Sequence, residues 1–176
     1  MRLLVFLAVT ALVVIYSQAA RPRFSSLKNV YPTYSRYPGD GQKLKRDMGL
    51  PSWLFANGTP NTCAIRMSKA FHDAGLGINR SRVTRCGTSS ARVSGKGRQY
   101  IIRVNFFKCY LAAIWGGRPN VSGIRSKSTI RDQKGLLIFT GCSGFGQHID
   151  LWDGSSCSMG CEYFNRCSTI EMYTLQ

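Results

Sequence analysis

The sequence predicts one α+β domain in which a helix near the start packs on a mostly antiparallel sheet. Apolar residues recur with helical spacing over residues 63–74, and short apolar segments of strand length follow in the second half of the chain. The chain has 176 residues and no internal repeat, which suits a single compact domain. A helix followed by a run of strands is the order expected of an α+β domain.

The predicted helix has a polar start and a glycine stop. Asn61 and Thr62 offer side chains that can cap its first turn, and Gly75 follows its end. At about 100° per residue, one face is apolar and the other is polar. The apolar face contains Cys63, Ala64, Met67, Ala70, Phe71 and Ala74; the polar face contains Arg66, Ser68, Lys69, His72 and Asp73; Ile65 is the exception. Cys63 therefore begins the side that we expect to be buried.

The other predicted elements are shorter. Residues 79–98 are rich in Ser, Gly and Arg and indicate a loop tethered through Cys86. Strands are predicted over residues 100–104, 136–140, 148–152 and 170–175, and a second helix over residues 106–115.

Upstream of the helix, residues 21–52 are rich in Pro, Tyr, Gly, Lys and Arg and predict an irregular arm that wraps the domain. Its apolar anchors would be Phe24, Leu27, Tyr31, Tyr34 and Tyr37. Anchors of this kind favour an arm over a discarded segment, although the pair Lys45-Arg46 leaves a processing site open.

The first twenty residues predict a signal peptide. A basic start is followed by an apolar run from Leu3 to Ile15 and by the small residues Ser17 and Ala19. The run is too short to span ~30 Å of hydrocarbon, and no later stretch is long enough, so we expect no stable membrane insertion. The organisation is therefore a signal peptide at residues 1–20 and a single domain at residues 21–176, secreted and extracellular.

The charge is strongly positive, with 24 Lys and Arg against 8 Asp and Glu and a net charge of +16. Such a field attracts polyanions, among them the teichoic acids and lipopolysaccharide of bacterial surfaces. The basic residues are scattered, with no run like a nucleic-acid-binding tail, so no nucleic-acid partner is expected. Charge alone does not separate surface binding from simple solubility.

Seven cysteines are present in a chain predicted to enter an oxidising compartment, where thiols pair. They are Cys63, Cys86, Cys109, Cys142, Cys157, Cys161 and Cys167. Because the number is odd, one remains as an intermolecular link, an inert buried thiol or a nucleophile. Three sequons, at Asn57, Asn79 and Asn120, are compatible with glycosylation in a eukaryotic host.

Cys63 is the best candidate nucleophile. At the first turn of a helix, free backbone N–H groups and the helix dipole favour the thiolate. The base should be a histidine. His72 lies on the opposite side of the same helix and ~13 Å along it, so it cannot reach the thiol. His148 remains, and strand alternation places Asp150 on the same face as His148. A structural cysteine and histidine are the alternative, but this helix-first pair follows the order of papain-like folds.

Two blocks carry a resemblance to a known family. They are Asn61-Thr62-Cys63-Ala64-Ile65-Arg66-Met67-Ser68 and Gly146-Gln147-His148-Ile149-Asp150-Leu151-Trp152-Asp153-Gly154. They resemble the fourth family of type VI secretion amidase effectors, which are papain-like, NlpC-type bacterial toxins with secreted, horizontally acquired relatives in some animals. The match spans roughly residues 21–175. It implies hydrolysis of the γ-D-glutamyl–meso-diaminopimelate bond of peptidoglycan through a thioester on Cys63, with the Cys63 N–H holding the oxyanion and His148 protonating the leaving amine.

The sequence departs from this family at the residue that orients the histidine. The family has an aspartate about eleven residues after the histidine, and Met159 occupies that position here. Asp150 is the expected substitute, and Asp153 and Glu162 are the next candidates. The resemblance also implies a disulfide between Cys157 and Cys161. The other four cysteines besides Cys63 would then form two more bonds, whose pairing the sequence does not reveal.

Other functions remain open. The charge would also suit a non-catalytic cationic protein that binds bacterial surfaces. His72 and His148 would suit a ribonuclease, although the sequence has no pattern that indicates an RNA-binding site. Two histidines that lack the spacing of metal ligands support a zinc amidase poorly, so no cofactor and no metal are expected. A monomer is expected.

Overall fold

A computed structural model describes residues 20–38, 41–55, 61–87, 89–160 and 163–176. Its helices are α1 (Phe24–Val30), α2 (Gln42–Met48), α3 (Cys63–Asp73), α4 (Arg80–Arg85) and α5 (Val104–Trp115). Its strands are β1 (Arg92–Gly95), β2 (Arg98–Ile101), β3 (Val121–Ser122), β4 (Gly135–Cys142), β5 (Gly146–Trp152) and β6 (Cys167–Thr174). Short 3₁₀ turns lie at Ser89–Ala91 and Lys127–Ile130.

The main sheet has the strand order β3-β6-β4-β5, and every neighbouring pair is antiparallel. Its two faces bury separate apolar clusters. Leu136, Ile138, Ile149 and Leu151 pack against α3 and α5, whereas Leu137, Phe139, Trp152 and Ile170 pack beneath the loops on the other face. Alternation along the strands produces this division. The predicted α+β class with an antiparallel sheet is confirmed.

Helix α3 lies between the main sheet and a small hairpin formed by β1 and β2. The predicted apolar face is buried, but so is much of the face predicted to be polar: Arg66 and Ser68 are fully buried. The Ser68 hydroxyl donates to the Ile101 carbonyl and accepts from the Ile101 N–H, at 3.0 and 2.9 Å. Ile65, the exception to the pattern, packs in a third cluster with Val93 and Tyr100 of the hairpin. The predicted division into a buried and an exposed face was wrong for Arg66, Ser68 and Ile65, because both sides of α3 are covered by other parts of the protein.

Residues 21–52 are not an irregular arm, because α1 and α2 form within them. Of the predicted anchors, Phe24, Leu27 and Tyr31 are buried, whereas Tyr34 is exposed. The segment approaches the hairpin closely, since a Cβ at Gly95 would lie 2.2 Å from the Met48 carbonyl oxygen. The arm therefore denotes residues 21–52, which contain α1 and α2.

Two local predictions need correction. The segment 79–98, predicted to be a loop, contains α4 and β1. Helix α4 begins where the Asn79 side chain accepts a hydrogen bond from the Arg82 N–H. The strand predicted over 100–104 ends at Ile101, and Val104 begins α5.

Two disulfides join the described parts, Cys86–Cys109 between α4 and α5, and Cys142–Cys167 between β4 and β6. Cys157 is also disulfide-bonded. Its expected partner Cys161, together with Glu162, Asn57 and the predicted signal peptide up to residue 19, lies outside the described residues. Within the described ranges, no helix combines the length and the apolar character needed to cross a membrane.

Candidate active site

Cys63 is the first residue of α3, and it is the free thiol among the cysteines that the structure describes. Its side chain is buried and lines a cleft of about 390 Å³. The lining of the cleft includes Arg103 before α5, Asn105 in the first turn of α5 and Gln147 at the start of β5. The thiol therefore lies where a substrate entering the cleft would meet it.

Asn61 holds the thiol in place. The Cys63 thiol donates to Asn61 Oδ1 at 2.7 Å, and the Cys63 backbone N–H approaches the same oxygen at 3.3 Å. Asn61 Nδ2 donates to the Gln147 carbonyl at 2.8 Å. One amide thus links the start of α3 to the strand residue before His148. Sequence reasoning identified Asn61 only as a possible helix cap, and its position two residues before the cysteine was the available signal.

His148 lies on β5, directly after Gln147, and is buried. Its Nε2 is 3.8 Å from Asp150 Oδ2, which is within ion-pair range but longer than a hydrogen bond. Because Nε2 faces the carboxylate, Nδ1 is the ring nitrogen that remains for the thiol. The ring packs edge-on against Tyr163, with centroids 5.1 Å apart. The structure therefore places Cys63, His148 and Asp150 together, and their catalytic roles stay a prediction.

The neighbours of His148 decide its charge. Burial of the ring favours the neutral form, but Asp150 and Cys63 together outweigh that effect and raise the pKa of His148 to about 9. The ring is consequently protonated at neutral pH, next to the thiol. A protonated imidazole beside a sulfur stabilises the thiolate.

Asp150 is fully buried and held by two backbone donors. The Leu151 N–H donates to Oδ1 at 2.7 Å, and the Met159 N–H donates to Oδ2 at 2.8 Å. The second contact comes from the position where the resemblance leads us to expect an aspartate. Asp153, one of the predicted substitutes, instead binds Ser155 and Ser156 in its own turn, whose donors lower its pKa to about 2 against the effect of burial.

Tyr31, from the arm, closes the site from the side of Asp150. Its hydroxyl is buried without a hydrogen-bond partner among the described residues. Burial first, and then the charges of Asp150 and Cys63, raise the pKa of the Tyr31 hydroxyl well above its ordinary value, so it stays protonated. The arm therefore supplies a proton donor beside the histidine's carboxylate.

Arg66 fastens the arm to α3. Its Nη1 donates to the Pro32 carbonyl at 2.6 Å, its Nη2 donates to the Tyr37 carbonyl at 2.9 Å, and its Nε donates to Thr62 Oγ1 at 2.7 Å. The Tyr34 ring covers the guanidinium, 4.7 Å from its central carbon. Arg66 thereby fixes Tyr31 against the site.

His72 takes no part in this arrangement. It lies near the other end of α3, where its Nε2 is bonded to the Gln99 carbonyl at 2.6 Å and its ring packs on Tyr100. Burial lowers the pKa of His72. This environment is that of a structural histidine, and His72 lies away from the thiol, as the helix geometry indicated.

The arrangement of a helix with a free thiol at its start, packed against an antiparallel sheet that carries a histidine, defines the papain-like, NlpC-type fold. The chain belongs to the family of type VI secretion system (T6SS) amidase effector protein 4, Tae4, whose model matches residues 59–173. The predicted family and fold class are confirmed.

Solved structures of this family have the same fold. The type VI effector Tae4 from Enterobacter cloacae is 21% identical with a TM-score of 0.70, over 91% of this chain and 100% of that chain. Tae4 in the effector-immunity complex Tae4-Tai4 from Salmonella Typhimurium is 25% identical with a TM-score of 0.70, over 89% of this chain and 99% of that chain. No curated protein matches the chain.

Proposed function

We propose that this protein is a secreted peptidoglycan amidase, of the kind that some animals carry, which hydrolyses the bond between γ-D-glutamate and meso-diaminopimelate through a thioester on Cys63. The observation that carries the proposal is the free thiol at the start of α3, next to a histidine whose Nε2 lies 3.8 Å from a buried carboxylate. Membership of an amidase effector family supports the same reaction class.

The reaction would proceed in two halves. Protonated His148 stabilises Cys63 as the thiolate, which attacks the γ-carbonyl carbon of glutamate. As the C–N bond breaks, the imidazolium gives its proton to the departing amine of the diamino acid. Water then loses a proton to His148 and attacks the thioester. The C–S bond breaks, which leaves the glutamate carboxylate and the Cys63 thiolate beside protonated His148, and the remaining water proton passes to the released amine. Asp150 keeps the imidazole in position throughout.

Asn61 would take part in stabilising the oxyanion. The Cys63 N–H is the predicted donor, yet it faces Asn61 Oδ1 at 3.3 Å, a long contact that a developing oxyanion can displace. If the Asn61 amide turns, its Nδ2 becomes a second hydrogen-bond donor to the oxyanion. Two preorganised donors at this point are the usual means of stabilising the intermediate of acyl transfer.

Mass analysis of digested sacculi tests bond and nucleophile together. Wild-type protein should release fragments that end between glutamate and the diamino acid, and Cys63→Ala should release none. The melting temperature of Cys63→Ala serves as the control for folding. Release of the same fragments by Cys63→Ala, or cleavage of a different bond by the wild type, would contradict the proposal.

The net charge of +16 favours a second candidate, a cationic protein that kills by binding anionic surface polymers without catalysis. The two functions separate in a killing assay. If Cys63→Ala kills as well as the wild type and killing falls with added salt, the charge is sufficient. If Cys63→Ala still binds bacteria but no longer kills, the charge delivers the enzyme to its substrate.

Secretion is part of the proposal. A signal peptidase should cut after Ala19 or Ala20. Sequencing the N-terminus of protein collected from the culture medium should therefore give Ala20 or Arg21 as the first residue. A chain that keeps the apolar run, or that begins after Lys45-Arg46, would overturn this prediction.

A further inference from the structure

A second cavity, of about 570 Å³, lies next to the catalytic cleft. Asn105, in the first turn of α5, lines both the cleft that holds Cys63 and this cavity. Lys108 lies three residues further along α5, ~4.5 Å along the helix axis and on the same side as Asn105. The cavity therefore continues the cleft along the helix, and its volume suits a small ligand group.

The charged groups of the cavity come from three parts of the chain. Glu171 on β6 and Lys108 on α5 form an ion pair, in which the glutamate side chain is only 12% exposed. Arg118, in the loop after α5, is exposed and lines the same cavity. No hydrogen bond or ion pair of its guanidinium occurs among the described residues. The cavity thus contains one carboxylate, one paired cation and one cation that remains available.

A purely structural role explains this set poorly. Glu171 lies on the face of the sheet that packs against helices, in register with Ile138 of β4. Buried ion pairs contribute little stability compared with apolar residues of the same size. The chain has only 8 acidic residues against 24 basic ones, so a carboxylate at this position is also not explained by the general composition.

We propose that this cavity is a substrate subsite that binds a zwitterionic amino-acid group, with Glu171 receiving its ammonium and Arg118 and Lys108 its carboxylate. The inference rests on the proposed function, because the far end of meso-diaminopimelate carries such a group when the stem is not cross-linked. Cross-linking acylates that amine and removes its charge. The subsite would therefore direct the enzyme to free stems.

Three peptides test the subsite: L-Ala-γ-D-Glu-meso-diaminopimelate, the same peptide acetylated at the far amine, and L-Ala-γ-D-Glu-L-Lys, which lacks only the far carboxylate. Each loss should raise the KM of the wild type about two- to fivefold, the effect of one partly exposed ion pair. Glu171→Gln should abolish the discrimination against the acetylated peptide, and Arg118→Met the discrimination against the lysine peptide. Arg131→Met, an exposed cation outside the cavity, should keep both preferences.

Equal KM values of the wild type for the three peptides, or preferences that survive in both cavity variants, would overturn the subsite. Calorimetric binding of the diaminopimelate peptide to Cys63→Ala protein separates this inference from the proposed reaction. Binding that weakens in the Cys63→Ala, Arg118→Met double variant supports the subsite even if the wild type cleaves nothing. Binding unchanged by Arg118→Met refutes it even if cleavage occurs. Because Arg118 is exposed, its replacement should leave the melting temperature unchanged.

Discussion

Replacement of Asp150 by asparagine removes a charge next to His148 while keeping the shape of the side chain. At 3.8 Å and an effective dielectric constant of ~20, the lost attraction is at most ~4 kcal/mol, or ~3 pH units. The ring would keep its burial, which favours the neutral form. We therefore expect the pKa of His148 to fall from about 9 to below its ordinary value of 6.5. The loss of ring orientation should lower kcat by ~10²–10⁴-fold.

The assay is the pH dependence of kcat/KM on a soluble stem peptide. Activity of the wild type should fall as the pH rises through about 9, where the thiol–imidazole pair loses its proton, and activity of Asp150→Asn should fall near or below pH 7. Since asparagine can accept only one of the bonds from Leu151 and Met159, the variant should also lose ~1–3 kcal/mol of stability.

Asp132→Asn is the matched control, because Asp132 is exposed and lies at φ 67°, a conformation that asparagine accepts. It should leave both the profile and the rate unchanged. An upper pH limit in Asp150→Asn equal to that of the wild type, with a rate within threefold, would show that Asp150 neither charges nor orients the ring.

Four further outcomes follow from the same contacts. Arg66→Met should lower the free energy of unfolding in urea by ~3 kcal/mol, because several arm carbonyls lose their buried donor; an unchanged midpoint would mean that the arm docks without it. Tyr31→Phe should change stability by less than ~1 kcal/mol, because the hydroxyl has no described partner, and a loss above ~2 kcal/mol would reveal one. Because the pKa of His148 is raised on folding, its stabilisation is complete below pH 6.5 and disappears as the pH rises through about 9; urea titrations should show a loss of up to ~3 kcal/mol that is absent in His148→Gln. Replacing Cys86 and Cys109 by serine opens a disulfide across 23 residues and should cost ~3 kcal/mol, whereas a cost near zero would indicate a structured unfolded state.

The geometry of the candidate site could be predicted because it depends on short-range rules. The first turn of a helix identified Cys63, helical rotation excluded His72, and strand alternation placed Asp150 on the side of His148. All three rest on periodicities that tertiary contacts did not disturb. The main strands and α5 could be predicted for the same reason, to within a few residues at their ends.

The environment of α3 could not be predicted, because it depends on what packs against the helix from outside. An arginine on a helix is usually exposed. Arg66 is buried because its partners are backbone carbonyls of the arm, and a carbonyl carries no sequence signal. Ser68 is buried for a similar reason, since its hydroxyl pairs with the backbone of Ile101 on β2. Helix α4 was missed although Asn79 provides an ordinary cap, because the Ser, Gly and Arg content of the surrounding segment indicated a loop.

Met159 stands where the resemblance implies an orienting aspartate, and it contributes to the proposed role of Asp150 through its backbone. An orienting carboxylate needs a fixed position, and the loop at Met159 provides it through a backbone N–H, which donates to Asp150 Oδ2 at 2.8 Å. Every residue except proline carries that donor. The side chain at 159 is therefore released from any role in orienting the ring, provided that the strand supplies the carboxylate. Asp150 is two residues from His148 on the same strand, so the distance between them is set by the strand itself. A carboxylate from a loop would need that loop to be held by other contacts.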